Sequence, residues 1–151
     1  MSRKSLLLSL SLVLSAYAAR AEDLECKYEQ RFKGGGSKQA DLKIQSNERG
    51  ITRLAVSSSY ASGEEAGGYL CEIDTAERDQ IVKWDQEHKK ILLRVTYGGT
   101  RPSNVEIEPT ANGYRINLEG ASLDACGFGA AWPRSIEVSR RSKKCKVVFD
   151  N

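Results

Sequence analysis

"TAERDQIVKWDQEHKKILLRVTYGG", residues 75–99, can be read in two ways, and the choice decides whether the chain is all-β. At intervals of three and four, Ile81, Trp84, His88, Ile91 and Val95 line one face of an amphipathic helix. Asp74-Thr75 would cap that helix and Gly98-Gly99 would end it. At intervals of two, Ile91, Leu93, Val95 and Tyr97 alternate with other residues, and Val95-Thr96-Tyr97 is β-favouring chemistry. The strand reading makes 80–84 and 91–97 a hairpin about the polar turn Asp85-Gln86-Glu87-His88-Lys89. We adopt it, with one short helix around 75–90 as the alternative.

The flanking sequence agrees with strands. Leu24, Cys26, Tyr28, Gln30 and Phe32 alternate with Glu25, Lys27, Glu29 and Arg31, the period-two pattern of a half-buried antiparallel strand. Lys33-Gly34-Gly35-Gly36-Ser37 turns the chain, Leu42 and Ile44 mark a second strand, and 51–56 reads as a third. Tyr69, Cys71 and Ile73 mark a fourth. Val105 and Ile107 lead through Asn112-Gly113, a strong hairpin signal whose two residues accept positive φ, into Tyr114, Ile116 and Leu118. Ile136 and Val138 face Cys145, Val147 and Phe149 across a basic turn. The expectation is an all-β, single-domain antiparallel meander, a β-barrel or sandwich of about eight strands.

At the N-terminus, Arg3 and Lys4 precede an apolar run over 6–14, and Ala19-Arg20-Ala21 forms an A-x-A site before Glu22. This is the pattern of a secretory leader over 1–21, and its apolar run is too short to anchor the chain in a bilayer. A single β-barrel domain over 22–151 is expected to follow. The chain carries 23 bases and 20 acids, and the leader's Arg3, Lys4 and Arg20 account for the whole difference. A neutral remainder lacks the basic excess that nucleic-acid binding needs.

Cys26, Cys71, Cys126 and Cys145 all follow the leader, and an even count in an oxidising compartment reads as two disulfides. Three pairings are possible. Cys26 with Cys71 and Cys126 with Cys145 is favoured because each joins segments expected to be neighbours. No cysteine pair has C-x-x-C spacing and His88 is the single histidine, so neither a metal nor a cofactor is expected.

Catalytic constellations fare poorly. A nucleophilic triad would have to pass through His88, which sits in a charged turn without an orienting partner. Gly34-Gly35-Gly36 lacks the phosphate-loop pattern and reads as a hairpin turn. Glu64/Glu65 and Asp74/Glu77 lack apolar surroundings that would raise one pKa for glycoside hydrolysis. No enzymatic activity is expected. The Gly-flanked Phe128 and Trp132-Pro133 read as a packed loop closing one end of the barrel.

Charge is unevenly distributed. Over 64–87 there are eight acids against Arg78 and Lys83, and over 134–146 six bases against Glu137. The acidic segment would steer a basic partner protein, while the basic one suits anionic envelope polymers. Ahead of the acidic segment lies Ser57-Ser58-Ser59-Tyr60-Ala61-Ser62-Gly63-Glu64-Glu65-Ala66-Gly67-Gly68. This is a slim stretch rich in hydroxyl and backbone donors, suited to carboxylates in a concave site.

In leader, size, cysteines and this loop, the chain resembles the bacterial periplasmic lysozyme inhibitors, especially those acting on c-type lysozymes. In that family a loop bearing Ser-Gly-x-x-Tyr enters the lysozyme cleft, where its serine and tyrosine engage the catalytic carboxylates. Ser62-Gly63 matches the first two motif positions, Ala66 stands at the tyrosine position, and Tyr60 and Tyr69 lie nearby. The resemblance implies a soluble periplasmic inhibitor whose 57–68 loop occludes a lysozyme cleft. Its partner-contacting residues would be Tyr60, Ser62, Gly63, Glu64, Glu65, Tyr69, Asp74 and Glu77. The rival expectation is a non-enzymatic binding module for a small or cell-envelope ligand.

Overall fold

The structure is a computed structural model that describes residues 21–63, 69–87, 90–127, 130 and 132–149, with backbone alone for Ser62, Tyr69 and Glu87. The leader up to Arg20, together with Glu64, Glu65, Ala66, His88 and Phe128, lies outside the described residues.

The protein is all-β. Its strands are β1 Glu22–Arg31, β2 Gly36–Asn47, β3 Gly50–Ser62, β4 Tyr69–Asp74, β5 Gln80–Glu87, β6 Lys90–Tyr97, β7 Ser103–Thr110, β8 Gly113–Asn117, β9 Ser135–Ser139 and β10 Ser142–Val148. A single 3-10 turn, Leu123–Ala125, follows β8. Ten strands form where about eight were expected; every segment read as a strand forms one of its own. The alternative helix around 75–90 is absent. Each residue of 80–87 instead has a partner on β6, from Gln80↔Tyr97 to Glu87↔Lys90.

All ten strands belong to one sheet, ordered β4-β3-β2-β1-β10-β9-β8-β7-β6-β5. Neighbours are antiparallel except β1 and β10, which meet in parallel at Lys27↔Lys144. The connectivity requires the sheet to curl. Laid flat, ten strands at about 4.8 Å spacing would hold β4 and β5 about 43 Å apart. The segment 75–79 that joins them reaches only about 21 Å when fully extended. The sheet therefore closes toward a half-barrel, and the Tyr97 hydroxyl on β6 donates to the Glu72 carbonyl on β4 at 3.2 Å across the opening.

Curling buries one face of β1–β4 and β6–β10 in a common core. Leu24, Ile44, Leu54, Val56 and Ile73 come from β1–β4, and Leu93, Val95, Ile107, Ile116 and Ile136 from β6–β9. Trp132 is buried at the core's edge with its indole N–H donating to the Ser122 carbonyl at 3.1 Å, the packed role expected of it.

Both disulfides differ from the favoured pairing. Cys26 bonds Cys145 and Cys71 bonds Cys126. Closure of the sheet decides this: β1 and β10 become neighbours only through tertiary assembly, which brings residues 119 apart in sequence together. The second bridge fastens the outer strand β4 to the segment after the 3-10 turn, where Gly127 N–H also donates to the Leu70 carbonyl at 2.7 Å. Two disulfides are typical of chains exported to an oxidising compartment. Among the described residues, no helix is long and apolar enough to cross a membrane.

The Asn112-Gly113 hairpin forms, though the two-residue turn is Ala111-Asn112, since Thr110 pairs Gly113. Gly113 lacks a positive φ. A side chain is excluded there by β9, because a Cβ would lie 2.0 Å from the Val138 carbonyl oxygen.

Candidate binding site

The first half of the predicted loop, residues 57–62, is strand. β3 runs past Val56 to Ser62, with Ser57, Ser58 and Ser59 paired in turn to Asp41, Ala40 and Gln39 on β2 and to Glu72, Cys71 and Leu70 on β4. Serine is a weak strand former, but two flanking ladders and the burial of Ser58 between Ala40 and Cys71 outweigh its propensity. The stretch that leaves the sheet is thus far shorter than 57–68, beginning at Gly63.

The β3 end is braced on both sides. Tyr60 pairs Tyr69 of β4, and Ser62 pairs Gly36 of β2. The Gly34-Gly35-Gly36 turn lies directly against Ser62-Gly63. Gly36 has φ +86°, and a Cβ on it would sit 2.3 Å from the Ala61 carbonyl oxygen. Gly63 itself is exposed, with φ +61°. The turn is closed by Phe32 N–H to the Gly36 carbonyl at 3.1 Å and Gly35 N–H to the Phe32 carbonyl at 3.2 Å.

Beneath this tip the half-barrel rim is aromatic. The Phe32 ring lies 6.2 Å from Tyr60 and tilted against it, while Tyr28 and Phe149 are 5.7 Å apart. The Lys38 ammonium stands 4.7 Å over the Phe149 ring. Half of Tyr60 is thereby committed to packing. Sequence reasoning missed Phe32 and the glycine turn as parts of this site, although Phe32-Lys33-Gly34 follows directly on the alternating strand.

The described acidic residues predicted as contacts, Asp74 and Glu77, do not lie at the tip. Tyr69 and Asp74 occupy opposite ends of β4, separated by about 17 Å of strand rise. Asp74 is engaged within the fold. Arg53 Nε donates to it at 2.9 Å and Ala76 N–H at 3.0 Å, and the Arg53 guanidinium is the main reason its carboxyl is held below the usual range. Gln80 Nε2 donates to the Asp74 carbonyl. Glu77 is exposed nearby, and its charge adds to burial, the larger cause, in raising the Tyr97 hydroxyl. Of the predicted contact residues, the structure brings together Tyr60, Ser62, Gly63 and Tyr69, and leaves Asp74 and Glu77 at the far end.

The basic segment over 134–146 is largely neutralised. Arg134 pairs with Glu119, Arg140 with Glu22 at 2.6 Å, Lys143 with Glu25 at 3.0 Å and Lys146 with Glu137 at 3.9 Å. Two of these pairs, Glu22–Arg140 and Glu25–Lys143, lie at the β1–β10 seam.

A second concavity lies on the outer face of β1–β4. It has a volume of about 540 Å³, a floor that includes Ala55 and Ser57, and walls from Lys27, Lys43, Glu72 and Lys143. Its origin is legible in β3, where the outward positions Ala55, Ser57, Ser59 and Ala61 are all small. Among the described residues, no group of three or more His, Cys, Asp or Glu side chains is placed to hold a metal ion.

No family model, no curated protein and no solved structure matches this chain.

Proposed function

We propose that the chain is an exported, non-catalytic inhibitor that places the tip following β3 into the cleft of a basic hydrolase of the c-type lysozyme class. The observation that carries this reading is the bracing of the β3 end, with the Gly34–Gly36 turn against Ser62-Gly63 on one side and the Tyr60↔Tyr69 pair on the other. A tip held on both sides loses little conformational entropy on entering a cleft, which is where a loop binder otherwise loses affinity. Ser62 and the neighbouring backbone amides are donors, and the two carboxylates of such a cleft only accept. Glu64 and Glu65 adjoin the tip in sequence and would pair with basic residues at the cleft's rim. The tyrosine of the family motif falls to Tyr69, because Tyr60 packs on Phe32. The periplasm is the compartment consistent with the leader and both disulfides.

The test is a titration of c-type lysozyme activity on cell walls with the purified, oxidised chain. Competitive inhibition at micromolar concentration or below is expected, and unchanged lysis at that level overturns the proposal. A second reading, a binding module for a small or envelope-derived ligand, is favoured by the 540 Å³ concavity over Ala55 and Ser57. Ser57→Trp separates the two, since it fills that concavity and leaves inhibition through the tip intact.

A further inference from the structure

We propose that β5 is a self-pairing edge, along which a second copy of this chain docks antiparallel about Trp84. The inference is independent of the inhibitor reading and uses none of the tip residues.

The two outer strands of the sheet are treated differently. β4 is covered by the Cys71–Cys126 bridge, the Gly127 N–H to Leu70 carbonyl bond and the Tyr97 hydroxyl on the Glu72 carbonyl. β5 has β6 as its one neighbour in the sheet, and beyond Gln80, whose side chain is bonded to the Asp74 carbonyl, no backbone hydrogen bond among the described residues reaches its outer edge. An open row of backbone donors and acceptors is a template for another strand. β5 also exposes apolar surface that a lone edge strand would shed: Ile81 is 64% and Trp84 37% exposed.

Charge identifies the partner strand. Elsewhere in this half of the sheet several outward charges form pairs, Lys90 with Glu106 and Glu108, and Arg115 with Glu137. The pattern breaks at the edge. Lys83 and Asp85 have no ion-pair partner among the described residues, and Lys83 stands opposite Arg94, a like charge, on β6. Like charges directly across a sheet are destabilising, and opposite charges are favourable. An antiparallel strand that presents a carboxylate opposite Lys83 and an ammonium opposite Asp85 would complete both rows.

β5 itself meets this description. In antiparallel self-pairing centred on Trp84, Lys83 faces Asp85 of the second copy and Asp85 faces its Lys83. The two Trp84 rings meet at the two-fold axis, and Val82 faces Gln86. A slip of two residues would set Lys83 against Lys83, or Asp85 against Asp85, so the register is specified by charge. Closed two-fold pairing is the commonest symmetry of assembly, and here it would join two ten-stranded sheets edge to edge.

Sedimentation equilibrium of the folded, oxidised chain from micromolar to near-millimolar concentration tests the proposal. A dimer is expected. K83D and D85K should each weaken it by about tenfold or more, because every dimer contains the Lys83–Asp85 pair twice. The combined K83D/D85K variant should recover to within about threefold of the parent, since each row is rebuilt with its signs exchanged. These positions are exposed, and near-UV circular dichroism confirms that each variant is folded. A monomer at every concentration overturns the proposal, as does either single reversal without effect. A double variant that stays dissociated refutes the register.

Discussion

Replacing Cys26 and Cys145 together by alanine should cost this protein about 4 kcal/mol, and the figure follows from topology. The outer bridge joins residues 119 apart, but Cys71–Cys126 short-circuits 55 of these, so the loop it closes in the unfolded chain is about 64 residues. Chain-entropy scaling then gives about 4 kcal/mol with the inner bridge intact, against about 5 if the full loop counted. Little else at the seam would compensate. β1 and β10 share one register pair, Lys27↔Lys144, and the flanking ion pairs of Glu22 with Arg140 and Glu25 with Lys143 are partly or largely solvent-exposed. The tilted Tyr28–Phe149 pair adds about 1 kcal/mol. Urea unfolding at neutral pH, followed by circular dichroism, should show a lowered midpoint and an m-value raised slightly by the more expanded unfolded chain. A loss below about 1 kcal/mol would mean that the seam holds without its bridge, and the reasoning would fail. Non-reducing peptide mapping of the parent checks the premise, because a Cys26–Cys71 peptide contradicts the closed sheet.

Gly36→Ala should destabilise the fold by about 1–3 kcal/mol, through strain at φ +86° and a Cβ 2.3 Å from the Ala61 oxygen. Gly34→Ala, with nothing within 4 Å, should be close to neutral, and thermal melts of the two variants decide. Asp74→Asn should cost about 1 kcal/mol at neutral pH, after allowing for the solvent on its Arg53 partner. The folded-state pKa of Asp74 is depressed, so the contribution is complete above the unfolded value near pH 4 and fades as pH falls through the folded value. The gap between parent and variant should therefore narrow in acid; a gap that widens would assign Asp74 another role. Under the proposed function, Ser62→Ala should weaken lysozyme inhibition by about 1–3 kcal/mol, read from inhibition constants.

The amino-acid pattern carries the all-β class in full. Strict alternation from Leu24 to Phe32 and from Ile91 to Tyr97 reports which face each side chain takes, a local property of a pleated strand. Strand propensity misled at Ser57–Ser59, where ladders on both sides hold a weak strand former in the sheet. The disulfide pairing, the ion pairs of the basic segment and the separation of Asp74 from Gly63 could not be read from the chain. Each depends on β1 meeting β10 and on β4 and β5 lying at opposite ends of the sheet order. Those neighbours are set by how a ten-stranded sheet curls to bury one face. Strand identity is thus local and legible, while partnership between the first and last strands comes from closure of the whole sheet, which decides where Cys26, Arg140 and Asp74 find their partners.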